Sequence, residues 1–115
     1  MITYKRCTPS DIDLMFEAFN KGFLDSMVNL EFTKGKFMHH FFTVEQNQIK
    51  NTLLALDDQK PIGIMLGGIK VYEGIYTLRC GTLAVDPAYR KQGIAKRLFE
   101  MHKDIALENH CKQLF

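Results

Sequence analysis

Residues 83–97 constrain the fold more than any other part of the chain. Leu83-Ala84-Val85 reads as the end of an apolar strand, Asp86-Pro87 breaks it, and from Gly93 apolar residues recur at helical spacing. Ile94, Leu98, Met101 and Ile105 share one face, flanked by Ala95, Phe99 and Ala106, so a helix over residues 93–109 must lie against a core. Strand-like residues Lys112-Gln113-Leu114-Phe115 follow, and strand, crossover helix and strand together predict a parallel pair. Neither Lys91 nor Gln92, where a cap would stand, is a residue that caps well. The first N–H groups of the helix therefore need an acceptor from elsewhere. Gly93 has no side chain and Ala95 nearly none, which lets a ligand approach the backbone. Arg90, Lys91, Lys96 and Arg97 surround this opening with no acid among them. Free donors, a helix dipole and four cations describe an anion site, most naturally for a phosphate or diphosphate.

Upstream, the hydrophobic period changes twice. Residues 2–6 form a short strand. Thr8-Pro9-Ser10-Asp11 then starts a helix, with Thr8 as cap, Pro9 at the first helical position and Asp11 at the positive end. Ile12, Met15, Phe16, Phe19 and Phe23 make its apolar stripe, and Gly22 is the expected stop. A second helical face carries Phe37, Phe41 and Val44 with Met38, Phe42 and Ile49. Residues 52–56 and 61–69 read as strands joined at Asp57-Asp58-Gln59-Lys60, a hairpin pattern. Gly67-Gly68 predicts a bulge or a close backbone approach. A turn near Glu73-Gly74 leads to the next strand, residues 76–85. No linker, repeat or low-complexity stretch divides the 115 residues, so one domain is expected. The order β-α-α-β-β-β-α-(β) predicts an α+β mixed sheet layered with helices.

Composition narrows the function classes. Fifteen basic against thirteen acidic residues leave a charge of only +2. Outside residues 86–115 the count is nine against nine, so the positive excess is local, and a general nucleic-acid surface is not expected. No apolar run approaches a membrane span, and Met1-Ile2-Thr3-Tyr4-Lys5-Arg6 has no export pattern, which predicts a cytoplasmic protein without a membrane partner. Cys7, Cys80 and Cys111 are an odd number at wide spacing and read as reduced thiols. His39 and His40 point about 100° apart on a helix, so they do not predict a metal site. His102 reads as packed against the sheet and His110-Cys111 as a helix end. No arrangement suits hydrolase chemistry.

Arg90-x-x-Gly93-x-Ala95, following Leu83-Ala84-Val85-Asp86-Pro87, resembles the (Gln/Arg)-x-x-Gly-x-(Gly/Ala) motif of the GNAT N-acetyltransferase superfamily. The likeness extends over essentially the whole chain. The first strand, two helices, the hairpin with Pro61-Ile62-Gly63 and the long helix come in that family's order. It implies a GNAT-like fold, a central mixed sheet flanked by helices, with acetyl-CoA as acyl donor and no metal. By position, Arg90, Lys91, Gln92, Gly93, Ile94, Ala95 and Lys96 would hold the diphosphate. Leu83, Ala84 and Val85 would pair with the pantetheine arm as with a further strand.

The same resemblance implies that residues 1–115 are the N-terminal part of the fold, through the motif and the following helix. The family fold continues through another strand, a helix and a hairpin, so the chain reads as C-terminally incomplete. The usual proton donor to the departing thiolate lies in that later part, and the catalytic residues stay unassigned. An open sheet edge would then favour a homodimer. The implied reaction is acetyl transfer to the primary amine of a small molecule or peptide. Phe23, Leu24, Met27, Leu30 and Phe32 would wall the acceptor pocket, and Glu73 and Glu31 are the carboxylates for deprotonating the amine. The alternatives are a non-catalytic acyl-CoA-binding or dimerisation module and, last, a basic nucleic-acid-binding domain.

Overall fold

A computed structural model describes residues 1–23 and 32–115. Five strands form one mixed sheet in chain order. β1 (Ile2–Arg6), β2 (Leu53–Asp57), β3 (Lys60–Tyr72) and β4 (Ile75–Val85) pair antiparallel in turn. β5 (Gln113–Leu114) lies parallel to β4, with Gln113 opposite Thr77 and Leu114 opposite Leu78. Both hairpins turn through two residues in the left-handed region, Asp58 (φ 48°) with Gln59 (φ 74°) and Glu73 (φ 51°) with Gly74 (φ 80°). That turn geometry matches the right-handed twist of the strands it joins.

Helices cover both faces. α1 (Ile12–Gly22) and α2 (Lys34–Met38) lie on one, α3 (Ile94–Glu108) on the other. A single 3-10 turn, Pro9–Asp11, leads into α1. The Thr8 amide donates to Asp11 Oδ2 at 2.8 Å and Lys5 Nζ donates to Oδ1 at 2.9 Å. Burial alone would raise the Asp11 pKa, yet the bonds from Lys5 and Thr8 outweigh it and hold the carboxyl below its ordinary value. Met15, Ala18 and Phe19 of α1 meet Phe37, Phe41 and the sheet residues Leu54, Ile64 and Leu66. Phe19 is the hub, its ring centre 4.9 Å from Phe23, 5.0 Å from Phe37, 5.2 Å from Phe41 and 5.6 Å from Phe32. Below the sheet, Ile94, Leu98 and Ile105 of α3 bury against Leu53, Ala55, Ile62, Met65 and Leu78. The bidentate pair of Arg6 with Glu108, at 2.7 and 2.8 Å, ties β1 to the end of α3.

One local reading changes and another becomes specific. The second helical stripe does not run straight: after Met38 the chain opens into wider turns over His39–Val44, where the Glu45 amide donates to His40 O, five residues back. This rotates Val44 to the surface, 60% exposed, and Ile49 reaches the core from a separate short turn, Ile49–Asn51. The bulge is centred on Gly81: Leu66 faces Thr82 and Gly67 faces Cys80, which leaves Gly81 as the extra residue in β4. Gly67 and Gly68 serve close approach instead. A Cβ on Gly67 would overlap the Asn51 carbonyl oxygen, and one on Gly68 would lie 3.1 Å from Asn47.

Cys7 is buried, and burial pushes its thiol up to about 12, which leaves it an inert core residue. Among the described residues no helix is long and apolar enough to cross a membrane, and no three or more His, Cys, Asp or Glu side chains are placed to hold a metal ion. His102 of α3 is fully buried, and among the described residues neither ring nitrogen has a partner at good hydrogen-bond geometry. Burial disfavours the charged imidazolium and lowers its pKa from 6.5. The unfolded chain therefore takes up the proton at higher pH than the folded one, so this group's contribution to stability is present above pH 6.5 and is lost as the pH falls below it. Unfolding should therefore need less urea at pH 5.5 than at pH 7.5. Urea unfolding at both pH values checks this, and His102→Leu should flatten the dependence.

Candidate functional site

The site grows from the way β4 hands the chain to α3. Asp86 ends the strand, buried, and its side chain accepts from the Ala88 amide at 2.9 Å. One 3-10 turn, Pro87–Tyr89, follows. Lys91 and Gly93 then take left-handed backbone angles, φ 64° and 81°. Gly93 is the residue before the helix and has no side chain to cap it, and among the described residues none caps α3 in its place. The first helical hydrogen bond of this end runs from the Arg97 amide back to Gly93 O at 3.0 Å. The opening turn thus presents main-chain donors and the positive end of a 15-residue helix dipole.

A cleft of about 520 Å³ lies against this opening. Leu83, Ala84 and Val85 line one side, Tyr89, Arg90, Lys91, Gly93, Ile94, Ala95 and Lys96 another, and Gly22 with Phe23 at the end of α1 a third. Nine of the ten residues singled out from the sequence are thus brought together. Gln92 is exposed and off the cleft wall. Of the four cations, Arg97 pairs with Glu100 at 3.4 Å and does not line the cleft. The Arg90 guanidinium faces inward to protein oxygens, donating from Nε to Val85 O at 3.2 Å and from Nη2 to Gly22 O at 3.0 Å. Lys91 and Lys96 are exposed at the mouth.

α1 ends at Gly22, where the sequence predicts its stop, and the glycine has a further use. It is the last residue of α1, and Phe23 after it has φ −111°, so no left-handed stop is involved. A Cβ at Gly22 would overlap the Ala84 Cβ and lie 3.1 Å from the Ala84 backbone. The glycine lets α1 touch β4 and sets the width of the cleft there.

Of the residues proposed for the acceptor side, Leu24, Met27, Leu30 and Glu31 lie outside the described residues. Phe23 lines the cleft, whereas Phe32 packs into the aromatic core against Phe19, Phe41 and His40. Glu73 is exposed in the β3–β4 turn, at the opposite end of β4 from the cleft, about 30 Å away at ordinary strand rise. It takes no part in this site.

The sequence reading missed a polar group beside the β4 bulge. Glu45 pairs with His40 Nε2 at 3.2 Å and with Arg79 Nη2 at 3.7 Å, and the buried Asn47, whose Nδ2 donates to Phe41 O at 2.9 Å, packs on Gly68 and Gly81. His40, Glu45 and Asn47 stand close together in the chain, but Arg79 and the two glycines reach them from the β3–β4 hairpin, which no local spacing shows.

The two cleft glycines can be separated by experiment. Gly93→Ala adds a Cβ that meets nothing within 4 Å but forces a left-handed alanine, so it should cost about 1 kcal/mol in urea unfolding. Gly22→Ala must push α1 off β4 and should cost about 1–3 kcal/mol.

The acetyltransferase (GNAT) family matches over residues 13–115. Comparison with curated protein sequences finds no match. Among solved structures, the NatC complex bound to Gag peptide and CoA superposes with a TM-score of 0.72 at 24% identity, covering 98% of this chain and 71% of that one. An aminoglycoside acetyltransferase from an uncultured soil metagenomic sample, in complex with sisomicin, gives 0.73 at 20%, over 99% and 75%. A GNAT family acetyltransferase from Brucella melitensis in complex with acetyl-CoA gives 0.75 at 15%, over 99% and 73%. At such identities these likenesses show a common fold: the curled mixed sheet with helices on both faces. With that fold and a family match running from the first turn of α1 to its last residue, the chain belongs to the GNAT acetyltransferase family.

Proposed function

We propose that this chain transfers an acetyl group from acetyl-CoA to a primary amine of a small molecule or peptide. One observation carries the reading: the uncapped start of α3 opens on a cleft whose other side is the end of β4. A diphosphate fits the first feature, because main-chain N–H groups and the helix dipole favour a compact anion and, among the described residues, no carboxylate lines the cleft. The amides of residues 90–96 would hold it, with Lys91 and Lys96 adding charge at the mouth. An extended arm fits the second, because Leu83, Ala84 and Val85 line the cleft beyond the stretch of β4 that β5 covers. Their main chain would pair with pantetheine amides as with a neighbouring strand.

The chemistry is the attack of a neutral amine on the thioester carbonyl. The nitrogen–carbon bond forms, the carbon–sulfur bond breaks, the nitrogen gives up a proton and the coenzyme A thiolate takes one up. The chain's part in this reading is to fix the donor along β4 and keep its diphosphate end still. The peptide bound to the NatC complex and the aminoglycoside bound to the soil enzyme both support an amine acceptor without choosing its class.

Acetyl-CoA at a hundredfold excess over its Kd should stabilise the fold by about 2.7 kcal/mol and raise the Tm by several degrees, whereas duplex DNA should not move it. Lys91→Ala with Lys96→Ala should weaken that shift. Release of free thiol on adding an amine panel distinguishes a transferase from a silent binder. A Tm unchanged by millimolar acetyl-CoA overturns the reading.

A further inference from the structure

After the single 3-10 turn Pro87–Tyr89, the rest of the loop between β4 and α3 belongs to no strand or helix, yet it holds two left-handed residues, Lys91 and Gly93. Lys91 is not a glycine, and such a conformation persists only where its surroundings over-determine it. Side chains supply the restraint. Asp86 holds the first turn of the loop, and Arg90 ties its middle to Val85 O and Gly22 O. The remaining anchor comes from across the sheet. Tyr89 lines the cleft with its ring, while its hydroxyl donates to Asp57 Oδ2 at 2.7 Å.

Asp57 is a firm point to bind to. It is the last residue of β2, paired with Lys60 across the two-residue hairpin. Its other oxygen, Oδ1, accepts from the Met1 amine at 3.1 Å. Hydrogen bonds from Tyr89 and from that amine hold its carboxyl below its ordinary pKa, so it stays an anion and a strong acceptor at neutral pH. Lys60 Nζ lies 5.8 Å from the centre of the Tyr89 ring. The hairpin thus grips the loop two residues before the left-handed Lys91.

We propose that the Tyr89–Asp57 hydrogen bond is a positioning device for diphosphate recognition, holding residues 86–93 so that the first amides of α3 converge on the cleft. The proposal rests on the reading that this cleft takes coenzyme A. Neither side chain needs to touch the diphosphate. Without the bond the loop samples other arrangements, and ordering it is charged against binding. Only the part of the ligand that the loop holds feels this loss.

The test compares two probes on the full chain by calorimetry: coenzyme A, and pantetheine, which has the arm but neither diphosphate nor nucleotide. Tyr89→Phe keeps the ring and removes the hydroxyl; Asp57→Ala removes the acceptor. Each should weaken coenzyme A about tenfold, the scale of one hydrogen bond to a charged group. The double variant should be no worse than the weaker single one, and pantetheine should bind all of them equally. Coenzyme A binding to Tyr89→Phe as tightly as to the parent overturns the proposal alone, as does a loss shared in equal proportion by pantetheine, or a fully additive double variant. A parent chain that binds neither probe overturns the functional reading and this proposal with it.

Discussion

Backbone packed directly against backbone, where the last turn of α1 meets β4 at Gly22 and Ala84, is the contact on which the rest of the structure depends. It brings the helix close enough for its final carbonyl to accept from Arg90, whose Nε also reaches the Val85 carbonyl at the end of the strand. One guanidinium thus joins helix, strand and loop at a single point. Arginine suits this because its planar fork presents several donors in a fixed geometry and stays charged under all conditions. The cleft is the space that remains when α1 and α3 pack on opposite faces of the sheet and both reach the same end of β4.

The chemistry of that cleft is mostly main chain. A side-chain cap at the start of α3 would satisfy its first amides and leave nothing to offer a ligand. Gly93 removes both the cap and the Cβ, and its left-handed angle turns the chain sharply into the helix. The charged side chains nearby divide the work. Lys91 and Lys96 face the mouth, Arg90 braces the walls, and Arg97 belongs to the helix surface with Glu100. Four consecutive-looking cations are therefore three different structural roles, decided by the 100° step between helical neighbours and by which carbonyls lie within reach.

Much of the fold was legible because it is written in local periods. The short strand-like runs in residues 53–57 and 75–85, the Asp57-Asp58-Gln59-Lys60 turn and the stripe Ile94–Leu98–Met101–Ile105 each reflect a constraint that acts within a few residues. Where local period competed with packing, packing won. The Phe37–Val44 stripe widens its turns to seat Phe41 beside Phe19, and Val44 is left in water. Gly67, Gly68 and Gly81 look alike in sequence; only the crossing of the Asn47–Asn51 segment shows that all three relieve contact and that Gly81 alone is the inserted residue.

By itself, the amino-acid sequence determined the element order, the polarity of each face and the opening of α3 as a place without a cap, since all of these depend on neighbours at fixed chain separation. Tertiary structure alone decided that Gly22 walls the cleft, that Tyr89 answers to Asp57, 32 residues away, and that Glu45, His40 and Arg79 meet beside the bulge. Those pairings have no period to betray them. They follow from how far two sheet faces and three helices can approach, which is a matter of shape and volume and is set only when the whole chain is packed.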